Sequence, residues 1–93
     1  MLFAVMGFFK PGIETLPAKL EADLNEHLSQ PFISLKLAGP LKNRLGNSVG
    51  LMVCLEVADF DKAEAYLSES PFSKNDMYER VEIVEYSLEV GKL

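Results

Sequence analysis

Few side chains in this sequence have the type and setting for chemistry. Its one histidine, His27, falls near the middle of an apolar stripe formed by Ile13, Leu16, Leu20, Leu24 and Leu28. A proton carrier at neutral pH needs a group titrating near 7, and histidine meets that need unaided. At this position it is either a general base in a pocket between helix and sheet or a partly buried packing residue whose cation suits a helix C-terminus. Asp23 and Glu26 lie too far round the helix to orient the imidazole, and the packing reading is preferred. A metal site is not expected, because no second histidine or cysteine stands at ligand spacing. Lys42 and Arg44, set between two turn signals, could clamp a small carboxylate or phosphate. A solvated basic loop accounts for them more simply. Ser70 opens Ser70-Pro71-Phe72-Ser73 and is a candidate nucleophile, but a serine before a proline at the first helical position reads first as an N-cap.

The remaining chemistry-bearing patterns are missing. There is no glycine-rich phosphate loop, no nucleophile elbow and no recognisable pair of carboxylates, so the sequence calls for no cofactor. The 93 residues carry a net charge of −5, with nine Lys and Arg against fourteen Asp and Glu. With no basic stripe, attraction to a phosphate backbone or an anionic membrane surface has little to act on, so neither nucleic acid nor membrane is expected as a partner. Leu2 to Phe9 is too short to span a bilayer and lacks the basic flank and cleavage site of a signal peptide. Cys54, the single cysteine, lies in an apolar run and reads as a buried, inert thiol in a reducing cytoplasm.

Several elements must position these residues. Leu2 to Phe9 is a strand apolar on both faces, closed by Lys10-Pro11-Gly12. The leucine spacing predicts a helix over 15–28, with Pro17 in its first turn and Pro31 beyond its end. Phe32 to Ala38 alternates, with Ile33, Leu35 and Leu37 on one face and Ser34 and Lys36 on the other, as a half-exposed edge strand does, and Gly39-Pro40 should stop it. A polar connection from Pro40 to Ser48 leads into a second strand apolar on both faces, Val49 to Val57. Asp59 caps a second helix, with Asp61 supplying acid in its first turn. A short helical piece follows from Ser70, and Tyr78 to Leu88 returns as the other edge strand. Tyr66, Phe72, Tyr78 and Phe60 read as core around the second helix.

The order βαββαβ, with the first and third strands apolar throughout, predicts an α+β ferredoxin-like sandwich in one domain over 1–93: a four-stranded antiparallel sheet with those two strands central and both helices on one face. Two helices leave the other face of two doubly apolar strands bare. A second copy of the chain is the simplest cover, so a homodimer packed sheet to sheet is expected.

The run Gly50-Leu-Met-Val-Cys-Leu-Glu-Val-Ala-Asp-Phe-Asp-Lys-Ala-Glu-Ala-Tyr-Leu-Ser-Glu-Ser-Pro-Phe72, with Leu37-Ala38-Gly39-Pro40 upstream and Met77-Tyr78-Glu79 and Val81 downstream, resembles the YciI-like (YCII-related) family. The resemblance spans nearly the whole chain and rests on the order and spacing of these pieces, each common by itself. It implies a dimeric α/β barrel. Family members typically carry a histidine in the first helix and an aspartate before the proline of an Asp-Pro-Phe/Tyr segment, a candidate acid–base pair. This chain departs at both places: Lys19 stands where the histidine is expected and Ser70 where the aspartate is. Lysine serves as a neutral-pH base only after strong desolvation, so Lys19, one turn from Asp23, reads as half of a surface ion pair rather than a catalytic lysine. Serine keeps the cap and removes the carboxylate.

The sequence therefore points to a small dimeric YciI-like protein that lacks the His-Asp pair and binds a small organic molecule between helices and sheet. The alternative is an isomerase, lyase or cofactorless oxygenase acting on a small organic acid or aromatic through Lys19, His27 or Arg44. A purely structural protein is the third class, and it predicts no pocket.

Overall fold

The computed structural model describes residues 1–12, 18–29 and 34–92. Among the described residues seven elements follow one another: β1 (Leu2–Phe9), α1 (Ala18–Leu28), β2 (Ser34–Lys42), β3 (Ser48–Glu56), α2 (Phe60–Ser68), α3 (Pro71–Lys74) and β4 (Tyr78–Glu85). The strands form one sheet in the order β2-β3-β1-β4, with every neighbouring pair antiparallel. The two strands apolar on both faces are thus the central ones, as the α+β ferredoxin-like reading requires.

Alternation in β1 sets the two faces. Phe3, Val5 and Gly7 are buried, while Ala4 and Met6 between them are only half-buried. Phe3 pairs with Leu55 and Val5 with Val53 across the β1–β3 ladder, and Ala63 and Tyr66 of α2 close over these four. Fully burying side chains such as Phe3 and Leu55 contributes about 1.5–3 kcal/mol each. A second core lies under α1 and α3, where Leu24 packs on Phe72 and Met77 with Phe9, Leu51 and Tyr78 around them. The opposite face of the sheet carries Ala4, Met6, Met52 and Cys54, flanked by Leu37 on β2 and Val84 on β4. Cys54 is buried on this face, whereas Leu37 and Val84 are exposed.

The predicted caps form. Asp59 accepts a hydrogen bond of 2.9 Å from the N–H of Lys62 at the start of α2, and Ser70 accepts one of 3.3 Å from the N–H of Phe72 at the start of α3. Each satisfies one of the N–H groups that a helix start leaves without a partner.

Other expectations need correcting. β2 does not stop at Gly39-Pro40 but runs on to Lys42, with Pro40 opposite Leu51. An edge strand tolerates proline, because one of its sides has no ladder for the missing N–H to serve. Leu35 and Leu37 do not share a face. The register shifts between them, so that Leu35 pairs with Leu55 and Leu37 with the adjacent Cys54, as a bulge at Lys36 produces. β4 ends at Glu85, short of Leu88. The predicted start of the first helix and the position of Ile33 lie outside the described residues. Among the described residues no helix is long and apolar enough to cross a membrane.

Candidate functional site

Four polar side chains from four parts of the chain converge between the helices and the sheet. His27 comes from the last turn of α1, Tyr66 from α2, Ser70 from the α2–α3 junction and Tyr78 from the start of β4; all four line a cavity of about 20 Å³ floored by Val5, Gly7, Leu51 and Val53. Gly7 makes this possible. A Cβ there would collide with the Tyr78 ring, so a glycine in the middle of a central strand is what lets that ring lie across the sheet.

The imidazole of His27 stacks on the Tyr66 ring with centroids 4.3 Å apart and planes inclined by 29°. Both residues are more than nine-tenths buried, and among the described residues neither Nε2 of His27 nor the phenol oxygen of Tyr66 has a hydrogen-bond partner. Burial pushes the His27 pKa below its ordinary value, against the neighbouring main chain of Tyr66 and the nearby charge of Glu69, both of which favour the cation. The phenol of Tyr66 is raised by burial, and that of Tyr78 is pushed up to about 12 by burial, partly offset by the nearby Ser70 hydroxyl. At neutral pH the cavity is therefore uncharged, with two phenols and one neutral imidazole facing it.

Beside the cavity, a wider cleft of about 330 Å³ opens between α1 and the β2–β3 pair. Phe9, Leu24, Leu28, Leu51 and Phe72 give it apolar walls; Glu21, Asn25 and Ser48 are its polar side chains. Leu24, Leu28 and Leu51 border both spaces. Phe72 meets Phe9 edge-on at 5.4 Å, and Phe9 stacks on Tyr78 at 5.8 Å, so one aromatic trio holds the boundary between cleft and cavity.

The residues singled out from the sequence are dispersed. His27 and Ser70 meet at the cavity. Lys19 is exposed on α1, borders neither space and makes no ion pair among the described residues, including the one anticipated with Asp23. Lys42 and Arg44 are exposed at the β2–β3 hairpin, whose turn is held by Asn43 accepting from the N–H groups of Leu45 and Asn47. Neither basic residue borders cavity or cleft. Among the described residues no group of three potential ligands could hold a metal ion.

Tyr66 and Tyr78 line the cavity, whereas the sequence alone reads them as part of one aromatic core. The aromatics instead divide into separate contacts: Phe60 edge-on to Phe3 at 4.7 Å, Tyr66 on His27, and Phe72 with Phe9 and Tyr78. The available signal was residue type. Tyrosine in an apolar stripe brings a hydroxyl that must find a partner or a cavity.

No family model and no curated protein matches the chain. Among solved structures it is similar to 5-chloro-2-hydroxyhydroquinone dehydrochlorinase (TftG) from Burkholderia phenoliruptrix AC1100 in complex with 2,5-dihydroxybenzoquinone, with a TM-score of 0.81 over 94% of each chain and 16% sequence identity. At that identity the likeness shows the fold alone: the chain has the α+β, ferredoxin-like architecture of this YciI-like neighbour.

Proposed function

We propose that this protein binds a small, largely apolar organic molecule in the cleft between α1 and the β2–β3 pair, as a dimeric member of the YciI-like family without that family's His-Asp pair. The observation that carries the reading is the cleft itself. Its volume of about 330 Å³ falls within the range of small-molecule sites, and its walls are apolar with few polar groups, the usual composition of such sites. The similar structure of TftG is a complex with 2,5-dihydroxybenzoquinone. An exposed lysine and a buried serine at the pair's two positions supply no acid–base couple, which favours binding over turnover.

A screen of small fragments by ligand-observed NMR tests this. Binding is expected for apolar fragments bearing one or two polar groups, and Asn25→Trp, which fills the cleft from an exposed helix position, should abolish it. Fragments that bind equally well to Asn25→Trp, or no binding at all, would refute the site.

The enzyme reading, an isomerase, lyase or cofactorless oxygenase, draws on TftG being a dehydrochlorinase and on His27 being a neutral base beside the cavity. It predicts turnover that His27→Gln removes and that Lys19→Ala leaves unchanged.

The sheet face bearing Met6, Met52 and Cys54 supports the homodimer, since the helices cover only the other face. The buried, unpaired thiol of Cys54 supports a reducing, cytoplasmic setting.

A further inference from the structure

We infer that the cavity between α1, α2 and the sheet is a hydroxyl site, taking one O–H group that donates to Nε2 of His27 and accepts from the phenol of Tyr66. Both atoms are buried, both belong to residues lining the cavity, and neither has a partner among the described residues. Buried polar atoms left in that state are costly, and two sharing one cavity are most simply satisfied together. The size agrees. About 20 Å³ holds one oxygen-sized group and no more.

The polarity of the two atoms decides which oxygen fits. The main-chain N–H of Ser70 bonds to the carbonyl of Leu67 rather than to that of Tyr66, and the main chain of Tyr66 lies near enough to the imidazole to favour its protonated form. In the proposed site the neutral imidazole carries its hydrogen on Nδ1, which leaves the buried, unpartnered Nε2 with a lone pair. The Tyr66 phenol stays protonated and offers a hydrogen. The bound group must therefore donate on one side and accept on the other. A hydroxyl does both. A carbonyl or ether oxygen could satisfy Tyr66 only, and a carboxylate would set its charge against the Nε2 lone pair.

Two sources can supply that hydroxyl. One is water. The other is a ligand seated in the neighbouring cleft, whose hydroxyl enters past Leu24, Leu28 and Leu51, the side chains that border both spaces. Only this second source rests on the proposed function.

Because His27 is the one histidine, its imidazole nitrogens can be assigned without ambiguity in a ¹⁵N spectrum of the full chain. The expected spectrum has hydrogen on Nδ1 and Nε2 as an acceptor. A crystal structure should place an oxygen within hydrogen-bonding distance of both Nε2 and the Tyr66 hydroxyl, contributed by water in ligand-free crystals or by cyclohexanol when that probe is soaked in. In solution, cyclohexanol supplying the oxygen would shift the Nε2 signal and bind about tenfold tighter than cyclohexanone, which lacks the donor. Tyr66→Phe keeps the stacked ring and should remove that preference. Water on both atoms with Nε2 insensitive to cyclohexanol supports the site and names solvent as its source. Hydrogen on Nε2, or no oxygen shared by the two atoms in either crystal, overturns the inference. Signals of Phe9 and Phe72 report the cleft separately, so a probe that moves them while no oxygen reaches His27 defeats the hydroxyl site and leaves the cleft standing.

Discussion

His27 and Tyr66, thirty-nine positions apart, stack with ring centroids 4.3 Å from one another, and this contact joins the last turn of α1 to α2 above the sheet. It puts the chain's one imidazole in a setting that disfavours its cation, which has a consequence for folding.

A histidine whose pKa is lower in the folded state than its ordinary value of 6.5 takes up its proton more readily when unfolded. Between the depressed folded value and about 6.5 the unfolded chain therefore holds more protons, so stability rises with pH across that window. The contribution is fully present above about pH 6.5 and is lost as pH falls toward the folded value. Glu69, which favours the cation, narrows the window, and Lys74, which disfavours it, widens the window. Urea midpoints measured at about pH 7.5 and about pH 5 should fall on acidification, and His27→Phe should flatten that part of the dependence.

Ser70 is expected to behave differently as a cap than its sequence context implies. Ser70→Ala should cost about 1 kcal/mol through the lost cap on α3. By capping alone, Ser70→Asp would be neutral. Ser70 is, however, 4% exposed and lines the cavity beside Tyr78, so an aspartate would bring a carboxylate into a buried wall with no cation among the described residues to pair with it there. Ser70→Asp should be the more damaging change, and thermal denaturation of the two variants orders them.

Met52 points to the sheet face opposite the helices, paired with Met6, whereas its neighbour Val53 is buried beneath the helices. Met52→Lys should convert a dimer to a monomer in sedimentation at micromolar concentration and lower the melting temperature together with it. A wild-type chain that sediments as a monomer would remove the basis for sheet-to-sheet pairing.

Gly7→Ala places a methyl group where the Tyr78 ring lies. The ring must move, because the β1 backbone is held by ladders on both sides. Overpacking of this kind costs about 1–3 kcal/mol. Titrated by ultraviolet absorbance, Tyr78, held up to about 12 by burial, should return toward the ordinary phenol value in the variant as its ring is displaced.

Much of the architecture follows from periodicity and punctuation alone. Two runs apolar on both faces can only be central strands, Asp59 and Ser70 mark helix starts by their own hydrogen-bonding chemistry, and the βαββαβ order leaves one simple antiparallel sheet. These are local properties, carried by neighbours within a few residues. The bulge at Lys36 and the passage of β2 through Pro40 are not, because both depend on the ladder that β3 offers and on the freedom of an edge. The candidate site depends on tertiary structure most of all. His27 stood out in the sequence as a type, but its neutral state and its unpartnered Nε2 come from burial against Tyr66. Tyr78 becomes a cavity residue only because Gly7, seventy-one positions earlier, has no side chain to exclude its ring. A side chain's identity is set by the sequence; its solvation and its partners are set by which elements close over it, and those decide what chemistry it can do.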